Sequence, residues 1–170
     1  MTPSLELINR LEESEAVSEL MKCCGSSRWA ALVAEARPFQ DEESLLHSAT
    51  SAWKKTEPED WLEAFSHHPK IGERKAEKTQ TEQEREWSEE EQSNTAKIAE
   101  DSLNALNELN RQYEDRFGYI FIVCATGKIA EEILGLLKSR LLNDPETELK
   151  VAAEEQRKIM ELRLRKLVSS

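Results

Sequence analysis

The sequence predicts an all-α protein: a single-domain bundle of about eight or nine helices with one short buried extended segment at 119–125. Three observations carry this. Charged residues make up 34% of the chain and hydrophobic ones 38%, against usual shares of about 25% and about 45–50%. Such a surplus of charge belongs on the outer faces of amphipathic helices. Glycine and proline number only five each in 170 residues, so the stretches between helix-breaking residues are long. Finally, a single continuous apolar run, Tyr119-Ile120-Phe121-Ile122-Val123-Cys124, is rich in β-branched and aromatic side chains. It has the composition of a buried strand, but no second run exists to pair with it.

Each helix has its own signal. Thr2-Pro3 is an N-cap followed by proline at the first helical position, with Leu5, Ile8 and Leu11 as the apolar face. Val17, Leu20 and Met21 mark a second helix that stops near Gly25. Trp29, Leu32, Val33 and Ala36 recur at helical spacing up to the break at Arg37-Pro38. Asp41 can cap the next helix, which turns Leu45, Leu46, Ala49 and Trp53 to one side. Thr56-Glu57-Pro58-Glu59 reads as a capping box before Trp61, Leu62 and Phe65. Glu73 to Glu86 carries nine charged residues in fourteen and no large apolar side chain, the composition of a solvated loop or frayed helix. A helix over 88–117 follows, with Leu103, Leu106, Leu109, Tyr113 and Phe117 on one stripe and Gly118 as its stop. After the apolar run, Gly127 precedes a helix over 129–142, and Asp144-Pro145 opens the last, which reaches about Val168.

The net charge is −11 and the isoelectric point near 4.9, which argues against nucleic acid as a partner, since phosphate binding needs clustered, unopposed Lys and Arg. No apolar stretch approaches the ~18 residues of a membrane span. Met1 to Arg10 lacks the basic-then-apolar pattern of a signal peptide, and Leu167-Val168-Ser169-Ser170 matches no peroxisomal tripeptide. The expected compartment is therefore the cytoplasm. Three cysteines, two of them adjacent at 23 and 24, form neither a disulfide framework nor a metal or redox motif and read as reduced thiols.

Polar residues on apolar faces are the candidates for chemistry. On the last helix Leu149, Ala152, Ala153, Gln156, Met160, Leu164 and Leu167 share one direction, and Arg163 falls in the middle of that stripe, whereas Arg157 and Arg165 fall outside it. An inward guanidinium must be paired or must bind an anion. Arg163 is thus either a structural ion pair or an anchor for a carboxylate or urea-like ligand. On the long helix Ser88, Gln92 and Thr95 project onto the core stripe and Glu91 lies at its edge. A capping box, Ser88-Glu89-Glu90-Glu91, accounts for Ser88 and Glu91 but not for Gln92. The third feature is His67-His68-Pro69-Lys70-Ile71-Gly72. Pro69 forces His68 out of the helical region and holds the imidazole on a constrained loop. Histidine is the side chain best suited to moving protons near neutral pH; the plainer alternative is a pair of helix-terminal histidines facing the dipole. A zinc site is a poor fit, because His47 is the only other histidine.

Taken together, several pieces resemble one family. His68-Pro69-Lys70-Ile71-Gly72, Ser88-Glu89-Glu90-Glu91-Gln92, Asn110 with Tyr113 and Phe117-Gly118, Phe121-Ile122-Val123-Cys124-Ala125 and Glu161-Leu162-Arg163-Leu164 resemble, in order and spacing, 2-oxo-4-hydroxy-4-carboxy-5-ureidoimidazoline (OHCU) decarboxylases. Trp29, Arg37-Pro38-Phe39, Arg140-Leu141 and Asn143 agree as well. The resemblance covers essentially the whole chain, taken as one domain over 1–170. It implies an all-helical, cofactor-independent, metal-free carboxy-lyase, often dimeric, that converts its ureidoimidazoline substrate to (S)-allantoin in the last step of urate degradation to allantoin. It further implies His68 and Glu91 as catalytic residues and Pro69 as a neighbour in the binding loop. Ser88, Glu89, Glu90 and Gln92 would form a polar wall. Phe121, Ile122, Val123, Cys124 and Ala125 would offer backbone groups to the substrate, and Arg163 would face the ligand.

Two other functions compete. An all-α Mg²⁺-dependent nucleotide pyrophosphohydrolase is suggested by the acid-rich Glu82 to Glu91 region, but such a site needs several carboxylates on one face, and Glu89 and Glu90 project away from the stripe. A non-catalytic adaptor with an acidic surface leaves the inward Arg163 and the constrained His68 without a task.

Overall fold

The computed structural model describes residues 1–69, Trp87 and residues 100–170. Among them are eight helices and no strand: α1 (Pro3–Arg10), α2 (Glu13–Met21), α3 (Ser27–Glu35), α4 (Glu42–Lys54), α5 (Pro58–Phe65), α6 (Glu100–Phe117), α7 (Ala130–Arg140) and α8 (Pro145–Val168). The all-α class is as predicted, and none of these helices is long and apolar enough to cross a membrane. The predicted helix over 88–117 is present from Glu100; its first part, and the charged stretch at 73–86, lie outside the described residues. The chain forms two compact units: Met1–Ala64 with Arg157–Ser170, and Phe65–Gln156.

The first unit is built on helix ends tied by side chains. Thr2 accepts a hydrogen bond from Leu5 N–H at 3.2 Å and donates to Val168 O at 2.6 Å. Ser26 and Asp41 cap α3 and α4 through Trp29 N–H and Ser44 N–H. The capping box expected at Thr56 is displaced by one residue. Thr56 Oγ1 instead donates to Trp53 O and accepts from Trp61 Nε1, and it is Asp60 that reaches back to Glu57 N–H at 2.9 Å. Helix ends leave carbonyls without partners, and Arg37 supplies three: it donates to Ala34 O, Ile8 O and Leu11 O at 2.7 to 2.9 Å. The next peptide bond, Arg37-Pro38, is cis. The Asn9 amide then grips the backbone of Phe39 in both directions, at 2.9 and 2.8 Å. Leu5, Ile8, Leu20, Trp29, Val33, Leu45 and Met160 are buried in this unit, with the Trp29 indole donating to Ala49 O. Cys23 and Cys24 are buried and in no disulfide, and burial pushes the Cys24 thiol up to about 12.

In the second unit Leu106, Tyr113, Phe121, Val123, Ala125, Ile133 and Leu137 form one apolar cluster. Gly118, at φ +84°, ends α6 in the left-handed conformation that glycine adopts without strain. Asp144 accepts from Thr147 N–H and starts α8. A polar network is buried beside the cluster. Arg140 Nε and Nη2 donate to Glu148 Oε2 at 2.8 and 2.6 Å, and Tyr113 O–H donates to the same oxygen. Asn143 donates to Glu148 Oε1 at 3.0 Å, and Arg140 Nη1 to Ile122 O at 2.6 Å. The guanidinium also lies 4.4 Å from the centre of the Phe121 ring. Desolvation, reinforced by the bond to Glu148, raises the Tyr113 phenol far above its ordinary value, so it stays protonated and donates to Glu148 while accepting from Arg140 Nη2 at 3.4 Å. Glu148 is 0% and Arg140 6% exposed, so removing one partner leaves a buried charge uncompensated. Glu148→Leu should therefore lower unfolding free energy by about 3–5 kcal/mol. Urea denaturation checks this, and a loss below about 1 kcal/mol would mean that the ion pair is dispensable.

Candidate functional site

His68 sits just beyond α5, its own N–H donating to Phe65 O at 3.2 Å. That bond ends the helix, and Pro69, itself buried, prevents a further turn. The imidazole is thereby fixed at 8% exposure, and its Nε2 lies 2.8 Å from Gln156 Oε1. His67 is only half-buried. Of the two histidines His68 is the more deeply buried.

Phe121, Ile122, Val123, Cys124 and Ala125 are all buried, between 2% and 8% exposed, and form neither helix nor strand. Their backbone is held by side chains. Ile122 O accepts from Arg140, Cys124 N–H donates to Glu155 Oε1 at 3.1 Å, and Cys124 O accepts from Lys128 Nζ at 2.9 Å. Ala125 O closes a turn with Lys128 N–H. Buried backbone groups need partners. Here the even-numbered residues find theirs in charged side chains rather than in a neighbouring strand, which explains how a strand-like run exists in an all-helical protein.

Glu155 and Gln156 are consecutive residues of α8, and together they hold the Cys124 backbone and the His68 ring. Gln156 was visible in the sequence as a polar member of the helix's apolar stripe, and that polarity was the signal for its role. Glu155, 9% exposed, gave none.

Arg163 is in the first unit, 3% exposed, with Nη1 donating to Lys22 O at 3.4 Å. Its inward direction is as the helix projection predicts. Lys70, Ile71 and Gly72 of the histidine loop, and Ser88, Glu89, Glu90, Glu91 and Gln92, lie outside the described residues, as does the Glu82 to Glu91 region on which the pyrophosphohydrolase alternative rests.

The Glu155–Cys124 bond makes a checkable demand. Glu155→Ala strips a buried N–H of that acceptor and should cost about 1–3 kcal/mol, whereas Glu155→Gln keeps an acceptor oxygen and should cost less. Equal losses in the two variants, read by thermal or urea unfolding, would remove the bond from the account.

Comparisons with known proteins identify the family. The OHCU decarboxylase family model matches residues 9–165. The chain is 39% identical over 147 residues to the uric acid degradation bifunctional protein TTL of Arabidopsis thaliana, covering 86% of this chain and 45% of that one. It is 27% identical over 168 residues to the 2-oxo-4-hydroxy-4-carboxy-5-ureidoimidazoline decarboxylase of Haloferax volcanii, covering 98% and 97%. The chain spans 32–45% of the length of three curated relatives that it matches. Among solved structures it is similar to an OHCU decarboxylase crystallised in the presence of (S)-allantoin, with a TM-score of 0.76, 37% identity and coverage of 89% of this chain and 98% of that one. With the family's model matching residues 9–165, the chain belongs to the OHCU decarboxylase family.

Proposed function

We propose that this protein decarboxylates 2-oxo-4-hydroxy-4-carboxy-5-ureidoimidazoline to (S)-allantoin, the last step of urate degradation to allantoin, and that 1–170 acts as one decarboxylase domain without a cofactor. The observation that carries the proposal is the likeness, at 37% identity over almost the whole of the other chain, to a decarboxylase crystallised with (S)-allantoin. The buried His68 held by Gln156 supports it from the side of chemistry.

In this reaction the C–C bond to the carboxylate breaks and CO₂ leaves, its electron pair passing into the neighbouring C=N of the substrate. That built-in electron sink does what a cofactor would otherwise do. One proton must then reach the ring carbon from a single face. His68 is assigned to hydrogen-bond the substrate hydroxyl or carboxylate and to handle proton transfer, with Glu91 orienting the histidine or the substrate. Pro69 shapes the loop, and Ser88, Glu89, Glu90 and Gln92 form the polar wall. Arg163 is assigned to substrate binding, supported by its burial and by the planar donor fork of a guanidinium. For Phe121, Ile122, Val123, Cys124 and Ala125 the assignment is backbone contact with ureido and ring amides. Supporting this, no hydrogen bond among the described residues engages the backbone of Phe121 or Val123, whereas Ile122 and Cys124 are tied to the protein.

Freshly generated substrate, incubated with the protein and followed by circular dichroism, should yield one allantoin enantiomer. His68→Ala should slow this about 10²–10⁴-fold, the usual contribution of a proton-transfer residue. Racemic decay at the uncatalysed rate would overturn the proposal, and full activity of the variant would overturn the role of His68. The same reading makes the protein a cytoplasmic homodimer with no nucleic-acid or membrane partner. Sedimentation velocity at micromolar concentration should give twice the 19.5 kDa of one chain, and a monomer mass would remove the dimer.

A further inference from the structure

We propose that Arg140 is a positioning residue for substrate binding: the arm of its guanidinium that Glu148 does not use holds the carbonyl of Ile122 and sets the place of the 121–125 backbone before substrate arrives. The inference rests on the reading of 121–125 as the segment that contacts the substrate's amides, and deepens it by naming what keeps that segment in place. One side chain divides its donors between two tasks. Arg140 Nε and Nη2 donate to Glu148 Oε2 at 2.8 and 2.6 Å, and Nη2 also donates to the Tyr113 hydroxyl at 3.4 Å. Nη1 turns instead to the main chain, donating to Ile122 O at 2.6 Å. The planar fork fixes the angles between these donors, so anchoring two nitrogens on Glu148 dictates where the third points.

Two further observations separate this from an ordinary buried ion pair. The guanidinium lies 4.4 Å from the centre of the Phe121 ring, and Tyr113, which shares Glu148 with it, packs edge-on to the same ring at 5.3 Å. Consecutive residues of the segment are thus held by one side chain, Phe121 at its ring and Ile122 at its carbonyl. Arg140 is also unsuited to being a ligand contact itself. It is 6% exposed, and each of its three nitrogens already has an acceptor in the protein. A guanidinium of this kind is no anchor for a substrate carboxylate; it acts through the backbone that it holds. Its charge does not titrate in any working range, so the hold is the same wherever the protein is folded. Backbone groups that recognise amides gain affinity from being fixed in advance, because ordering them during binding is a cost.

The test sets the two tasks of Arg140 against each other in the full-length protein. Glu148→Gln weakens the ion pair but leaves Arg140 in place, whereas the double variant Arg140→Met with Glu148→Leu removes both charges together, without stranding one, and releases Ile122 O. The double variant should exchange the amide hydrogens of 121–125 faster and raise KM about 10-fold, the low end for loss of a hydrogen bond from a charged donor. Its kcat should stay within about threefold, as for an interaction made equally in the ground and transition states. Glu148→Gln, though less stable, should keep KM within about twofold. If the double variant does not fold, Arg140→Lys, which keeps a charge opposite Glu148 on a single nitrogen, takes its place. An equal rise of KM in Glu148→Gln overturns the inference, because the network would then act through general stability. Unchanged exchange at 121–125 or an unchanged KM in the folded double variant overturns it too, as does a fall in kcat at constant KM. If the wild-type protein is inactive on the substrate, the decarboxylase reading fails, while exchange still decides whether Arg140 holds the segment.

Discussion

The carboxylate of Glu148 has no exposed surface, and the second unit is arranged to keep it bonded. One oxygen takes two donors from Arg140 and one from Tyr113, and the other takes Asn143. These donors come from α6, from α7 and from the residues before α8, so a single acid fixes three helices relative to one another. The remaining arm of Arg140 reaches Ile122 O and carries the same order into the 121–125 segment. A buried ion pair is weak evidence for stability, because desolvation opposes it. Its geometric effect is stronger: with all donors and acceptors committed, only one packing of the three helices satisfies them.

That constraint makes the irregular segment possible. A run of apolar residues without helix or paired strand exposes its backbone groups to the interior, where each lost hydrogen bond is costly. Arg140, Glu155 and Lys128 meet that demand at Ile122 and Cys124. In an extended chain the backbone groups of alternate residues point to opposite edges. Fixing Ile122 and Cys124 through side chains lets an apolar run without a partner strand sit buried in an all-helical unit.

Much of the fold was legible in the sequence because its signals are local. Thr2, Asp41, Gly118 and Asp144-Pro145 act through neighbours within four residues, and each does what its type predicts. Thr56 departed from expectation through a longer reach: the Trp61 indole and the Trp53 carbonyl claimed its hydroxyl, and a capping box cannot form with that side chain already committed. The Arg140–Glu148 pair joins two helices across a turn, and helical periodicity carries no information about it. Arg37 is similar. The break at Arg37-Pro38 could be read, but not that the guanidinium closes the carbonyl ends of two helices. For the site, periodicity placed Arg163 and Gln156 inward, and both are buried. The constrained loop marked His68. What periodicity could not supply was the pairing, since His68 and Gln156 are 88 residues apart in sequence.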